Sequence, residues 1–94
     1  MQKNLVIDGN NFEGIAVATP KATLLLIVGA HGFLGCGYIN CQAAAKLGDA
    51  VAIVRGVKNF DDMQNAAVVE VSPAAAERGV AVGMTGRDAL QLLA

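Results

Sequence analysis

Charged side chains are scarce in this sequence. Only 16% of the 94 residues are Asp, Glu, Lys or Arg, against about 25% in an ordinary soluble domain. Apolar residues make up 54% of the chain, and the mean hydropathy is +0.48. A chain this short buries only about 60–70% of its unfolded surface when it folds alone, so apolar area must remain exposed. Contiguous exposed apolar area marks a contact with another molecule, and we expect a second copy of this chain.

Basic and aromatic side chains are also few. The formal net charge is −1, and the seven Lys and Arg residues are scattered singly along the chain. A nucleic-acid surface needs clustered cations, because phosphate neutralisation supplies most of the affinity. One Tyr and three Phe offer few platforms for base stacking. We therefore expect no nucleic-acid partner.

Only two cysteines are present, Cys36 and Cys41. They are too few for a disulfide scaffold and fit a reducing compartment, where buried free thiols behave as small hydrophobic groups. The apolar stretch after Met1 is short and is soon broken by residues 8–10, so the chain has no signal-peptide pattern. We expect a cytoplasmic protein.

One long apolar run raises the question of a membrane span. Residues 22–39 include His31 as the only ionisable side chain other than Cys36 and Tyr38, and about 20 apolar residues can cross a bilayer. However, four glycines in the run weaken a helix by up to about 1 kcal/mol each. His31-Gly32 is also a good turn sequence. We therefore predict a buried hairpin and no membrane partner.

The first half of the chain has the pattern of an antiparallel sheet. Strands are predicted over residues 4–7, 12–18, 22–28 and 33–39. The segment of residues 8–11, DGNN, is a strong hairpin signal between the first two strands. The third strand is continuously apolar, so both of its faces should be covered. A helix should cover one face, and a second sheet or a neighbouring subunit the other.

The second half alternates short helices with extended pieces. Helices are predicted over residues 41–47, 60–64, 73–78 and from 86 onward, with extended segments over 50–54, 68–71 and 80–82. Their predicted N-caps are Asn40, Asn59, Ser72 and Thr85. No linker divides the chain. The sequence thus predicts a small single α+β domain over residues 1–94, in which a mostly antiparallel N-terminal sheet is followed by short helices packed on it.

Three segments of this sequence resemble a known family. They are GFLGCGYIN at residues 32–40, RGV at 55–57 and GMTGRDAL at 83–90. These segments and their spacing are similar to the YunC-like family of bacteria and archaea, catalogued as domain of unknown function 1805, over residues 14–93. The resemblance implies a compact α+β fold whose N-terminal β region, about residues 4–39, serves tetramerisation, with mixed helices and short strands over 40–94. It implies no activity and assigns no catalytic residue.

Cys36 is a candidate nucleophile. It lies between Gly35 and Gly37, which leave room for a ligand to approach the backbone. His31 is the only histidine and hence the only ordinary general base near neutral pH. An ideal hairpin does not bring the two together in one chain, although a neighbouring subunit could supply the base. The simpler alternative is that Cys36 belongs to the core, because a catalytic thiol needs an electropositive setting.

Two further candidates involve Cys41 and the start of the last helix. A helix N-terminus would lower the pKa of an exposed Cys41 thiol. The H-x4-C-x4-C spacing that joins it to His31 and Cys36 fits metal sites poorly, and no metal or cofactor is predicted.

The last helix begins with a turn that has groups suited to an anion. Exposed N–H groups, the Thr85 hydroxyl, the Gly86 backbone and the Arg87 guanidinium could hold a carboxylate or phosphate. An ordinary capped turn is preferred, because Asp88 completes a capping box. Arg87, Asp88 and Gln91 should face water.

Three functions remain open on the sequence alone. The preferred one is a homo-oligomeric structural or regulatory module, expected to be a tetramer, without catalysis. The alternatives are a small anionic-ligand binder and a thiol-dependent enzyme that uses Cys36. If a site exists, we predict that Cys36, Tyr38 and residues 85–87 come together there, within one chain or across subunits.

Overall fold

A computed structural model describes every residue from Met1 to Ala94. Its strands are β1 (Gln2–Ile7), β2 (Asn10–Ala18), β3 (Thr23–Val28), β4 (Phe33–Gly35), β5 (Val51–Ile53) and β6 (Glu70–Val71). Its helices are α1 (Cys41–Lys46), α2 (Phe60–Asn65), α3 (Pro73–Glu77) and α4 (Gly86–Leu93). The six strands form one sheet in chain order, with every pair antiparallel except β4 and β5. The predicted α+β fold is confirmed.

The β1–β2 hairpin is tighter than the sequence predicts. Asp8 and Gly9 have φ values of 51° and 81°, and positive φ at both central residues defines a two-residue type I′ turn. Pairing therefore continues up to Ile7 and Asn10, directly beside the turn. Residues 10 and 11 belong to β2 rather than to the turn, so the predicted start of this strand at residue 12 is wrong.

The long apolar run forms the β3–β4 hairpin, and no helix of the structure has the length and apolarity needed to cross a membrane. β4, however, ends at Gly35 rather than at the predicted residue 39. A side chain at residue 35 would approach Ile39 Cγ1 to 2.8 Å, because Ile39 packs directly over Gly35. The Ile39 N–H donates to the Cys36 carbonyl at 3.0 Å. The chain thus leaves the sheet in a turn and begins α1.

The sheet has one fully covered face. On its inner face Leu25, Ile27 and Leu34 are buried in a core that also contains Met63 of α2 and Leu90 of α4. On its outer face α1 covers β5, where Val51 and Ile53 are buried with Cys41 and Ala44. On the outer face of β3, Leu26 and Val28 stay partly exposed and lie outside the buried cluster that α1 forms with β5. Within one chain, therefore, β3 is covered on one face only.

The helix starts agree with the sequence because capping is a local interaction. In each of the four helices the predicted cap side chain accepts a hydrogen bond from the third helical N–H. The extended segment predicted over residues 80–82 is wrong. Met84 donates to the Ala81 carbonyl at 3.3 Å, which closes a turn, and Gly83 adopts a φ of 97°. β5 and β6 are also shorter than predicted.

The cap of α4 is directly testable. Thr85 Oγ1 accepts the Asp88 N–H at 3.2 Å. Thr85→Ala should lower the free energy of unfolding by about 1 kcal/mol, the usual value of such an oxygen, as measured by urea denaturation. Thr85→Ser retains the oxygen and should stay close to wild type. An unchanged midpoint for Thr85→Ala would contradict the capping role.

Candidate functional site

A cleft opens where β4 leaves β3. Gly35 pairs with Leu26, so the first residues of β3 extend past the end of β4 and have a strand, β2, on one side only. The cleft has a volume of about 340 Å³. It is lined by Ala22, Thr23, Cys36, Gly37, Tyr38, Gly56 and Val57. Its walls are therefore the start of β3, the turn after β4 and the segment that follows β5.

Cys36 lies in the cleft lining with only 4% of its surface exposed. Its Sγ atom accepts the Leu25 N–H at 3.2 Å, and its own N–H donates to the Leu25 carbonyl at 3.1 Å. The thiol thus takes the place of a backbone acceptor and extends the β3–β4 ladder by one residue. Cys36 is held in place by the sheet and still borders the cleft.

Tyr38 forms a wall of the same cleft, with 51% of its surface exposed. Its hydroxyl lies 2.9 Å from Thr19 Oγ1, which is also 3.0 Å from the Ala22 carbonyl and 3.0 Å from the Ala22 N–H. A hydroxyl has a single proton, and Thr19 directs it to the Ala22 carbonyl, so Tyr38 must be the donor to Thr19. This bond fixes the ring against the β2–β3 turn.

A second lobe with a volume of about 480 Å³ adjoins the first. The two share Ala22, Thr23, Gly56 and Val57, and the second adds Lys21 and Lys58. Neither lysine belongs to a salt bridge; the two ion pairs of the structure are Arg55–Glu70 and Arg87–Asp8. The lysine side chains therefore bring uncompensated positive charge to this lobe.

The structure does not bring residues 85–87 to the cleft within one chain. Arg87 Nε donates to Asp8 Oδ2 at 2.8 Å, and Gln91 Nε2 donates to the same oxygen at 2.7 Å. Asp8 precedes β2 and Thr19 follows it, so this nine-residue strand separates Arg87 from Tyr38 by roughly 30 Å. An encounter of the two groups across subunits stays a prediction.

Gly86 has a packing role in this structure. A side chain at residue 86 would overlap the Met63 backbone oxygen, so glycine permits α4 to lie directly against α2. Arg87 and Gln91 are exposed, as expected, but they bind Asp8 in addition to facing solvent.

His31 is not near Cys36 in one chain, in agreement with the sequence argument. It lies in the β3–β4 connection, at the opposite end of β4, and its Nδ1 atom is 2.8 Å from the Ala94 backbone oxygen. No group of three or more His, Cys, Asp and Glu side chains is arranged to hold a metal ion.

Cys41 differs from the expectation for a helix N-terminus. Burial raises the pKa of its thiol, and the Glu70 carboxylate raises this pKa further. A Cys41 thiolate is therefore disfavoured, and the lowering of its pKa that was expected for an exposed thiol does not apply, because Cys41 is buried.

Sequence reasoning missed the lysine-bearing lobe, which contains Lys21 and Lys58. It also missed the Asp8 cluster, in which Arg87 and Gln91 bind Asp8. One signal for the lobe was available, because the RGV segment at residues 55–57 was already singled out as a family feature. Gly56 in that segment has a φ of 73°, a conformation that favours glycine. The contact between Asp8 and Arg87 joins residues 79 positions apart and had no sequence signal.

Comparison with known proteins identifies the family. The model of the family described as "Domain of unknown function (DUF1805)" matches residues 35–93. The chain belongs to this family, so the resemblance drawn from the three sequence segments is confirmed.

Two relatives support this assignment. The chain is 29% identical over 90 residues to the uncharacterized protein YunC of Bacillus subtilis (strain 168), covering 92% of this chain and 89% of that protein. Its fold matches the crystal structure of a protein of unknown function, TA1206 from Thermoplasma acidophilum, with a TM-score of 0.95. That match has 34% identity and covers 100% of this chain and 92% of the other.

The hydrogen bonds of the Asp8 cluster predict how the free energy of unfolding depends on pH in acid. Hydrogen bonds from Arg87 and then from Gln91 lower the pKa of Asp8 from 3.8 to about 2. A carboxyl whose pKa is lowered by folding stabilises the fold above its unfolded pKa. Its contribution is lost as pH falls from about 4 to about 2. Asp8→Asn keeps a residue suited to positive φ and removes the charge.

Urea midpoints measured between pH 7 and pH 2 should therefore depend less on pH in Asp8→Asn than in wild type. Glu77→Gln, which removes an exposed carboxyl outside any ion pair, is the control and should retain the wild-type dependence. Equal pH dependence in Asp8→Asn and wild type would contradict the role assigned to this cluster.

Proposed function

We propose that this protein is a homo-oligomeric structural or regulatory module without catalysis, with four copies as the expected number. The observation that supports it is an uncovered apolar area on the outer face of β2 and β3. We call this area the outer patch and define it by Ile15, Val17, Leu26 and Val28. Ile15 pairs with Leu26, and Val17 is 50% exposed. An antiparallel strand that faces water carries polar side chains at such positions.

The surroundings of the outer patch favour a protein partner. On the neighbouring strand β1, Gln2 pairs with Ile15 and Asn4 pairs with Glu13, so polar side chains border the patch there, while Val6 farther along the same face is apolar and exposed. On the other side α1 covers β5. An apolar centre beside a polar rim is typical of protein interfaces.

A second copy of the chain is the partner that fits best. The four side chains of the outer patch are uncharged, so two identical patches can meet in a twofold arrangement. Glu13 borders the patch beside Val28 on the same face, where it accepts a hydrogen bond from Gln2. Sheets packed face to face lie about 10 Å apart, with their side chains interdigitated. A standard interface buries about 800 Å² per partner, which would be about 15% of the 5174 Å² exposed by one chain.

The remaining expectations are part of this proposal. We place the protein in the cytoplasm, which is supported by two free thiols. Nucleic acid and membranes are not proposed as partners. A thiol-dependent reaction at Cys36 is disfavoured because the His31 ring lies at the opposite end of β4 and is bonded to the backbone of Ala94.

Two adjacent leucines provide a sharp test. Leu26 belongs to the outer patch, whereas Leu25 points into the core and is 1% exposed. Light scattering of the wild type should give two to four times the chain mass of 9.6 kDa, with four expected. Leu26→Asp should break the contact between patches and halve the mass, from four copies to two or from two to one, with an unchanged circular dichroism spectrum. Leu25→Asp should unfold, because burying an uncompensated carboxylate costs several kcal/mol, comparable with the stability of a small domain.

Ala81→Asp, which adds the same charge in the exposed turn before α4, should leave the mass unchanged. A monomeric wild type at micromolar concentration would contradict the proposal. Retention of the wild-type mass by Leu26→Asp would exclude the outer patch as the interface.

A further inference from the structure

We propose that the cleft beside Cys36 binds a small ligand with an oxyanion group, a phosphate or a carboxylate, between Lys21 and Lys58. The body of the ligand lies along the cleft, over Cys36 and against Tyr38. This inference goes beyond the oligomeric module, because it concerns a different surface and does not depend on the number of copies.

The shape of the cleft suits such a ligand. The two lobes, with volumes of about 340 and 480 Å³, share four lining residues and are therefore adjacent. Small-molecule sites in proteins have volumes of about 300–1,000 Å³. Lys21 belongs to the β2–β3 turn and Lys58 to the segment after β5, and both line the second lobe.

The charges around the lysine-bearing lobe favour an anion. Neither Lys21 nor Lys58 has a carboxylate partner within ion-pair distance. Glu70 pairs with Arg55, and Asp62 accepts the Lys58 backbone N–H at 3.0 Å but forms no ion pair with either ammonium group. Unpaired cations in a concave surface concentrate the field there and attract anions.

Backbone donors add to this positive field. The N–H groups of Gly37, Tyr38, Gly56 and Val57, all in cleft-lining residues, make no hydrogen bond within the chain. They occur as two successive pairs, and successive free N–H groups bind anions. Gly56 has a φ of 73°, and a side chain built there would have no neighbour within 4 Å. The backbone at this position is therefore open to a ligand.

Thr23 contributes one more backbone group. Peptide directions alternate along a strand, and Leu25 directs its N–H and carbonyl toward Cys36. Thr23, two residues earlier, therefore directs its N–H and carbonyl to the same side. β4 has ended there, so these groups border the cleft. A ligand with both an oxyanion and a donor or acceptor along its body can use them.

The first experiment measures anion binding by isothermal titration, with inorganic phosphate in one arm and citrate in the other. Wild type should bind at least one of the two saturably, and the arm that binds more tightly distinguishes phosphate from carboxylate ligands. Lys21→Gln/Lys58→Gln should weaken this binding by about tenfold or more, because hydrogen bonds to charged groups are lost. Lys3→Gln/Lys46→Gln removes the same charge elsewhere and should change it less than about twofold.

The second experiment uses the thiol as a reporter. In a Cys41→Ala background Cys36 is the only cysteine, and its rate of alkylation by iodoacetamide can be followed by mass spectrometry. Saturating citrate should slow alkylation severalfold, and the Lys21→Gln/Lys58→Gln variant should lose this protection. The inference is wrong if neither anion binds wild type, or if both double variants bind as wild type does. Light scattering of the same samples tests the oligomeric module separately.

Discussion

Ile39 packs directly over Gly35, and this contact decides where β4 ends. A side chain at residue 35 would overlap Ile39, so the chain can fold back here only because residue 35 is glycine. The strand therefore stops after three residues, and the chain passes through a turn into α1. α1 then leads to β5, which returns parallel to β4 and is covered by that helix. The path of the chain through α1 to β5 therefore depends on where β4 ends.

The cleft of Cys36 and Tyr38 and the outer patch both depend on the point where the chain leaves β4. Because β4 ends early, the start of β3 has no strand on that side, and the cleft of Cys36 and Tyr38 opens there. α1 is short and covers β5, and Leu26 and Val28 on the outer face of β3 stay partly exposed. The low charge content of the chain is evident on this face, because most of its side chains on β2 and β3 are apolar. A partner copy would remove that face from water, which is the thermodynamically favourable outcome.

The sequence predicted well those features that depend on neighbours along the chain. The Asp8-Gly9 turn and the four N-caps were predictable because each needs only a few adjacent residues of the right type. The end of β4 was not, because it depends on the contact of Gly35 with Ile39. The site was predictable only in part. Cys36 and Tyr38 do line one cleft, but the binding of Arg87 to Asp8 has no local signature.

The central claim is that the outer patch is buried against the same patch of another copy. The most direct measurement is an isotope-filtered NOE experiment on a sample that mixes labelled and unlabelled copies. The account predicts intermolecular NOEs to the methyl groups of Ile15, Leu26 and Val28. It would be contradicted if all NOEs to these methyl groups arose within a single chain.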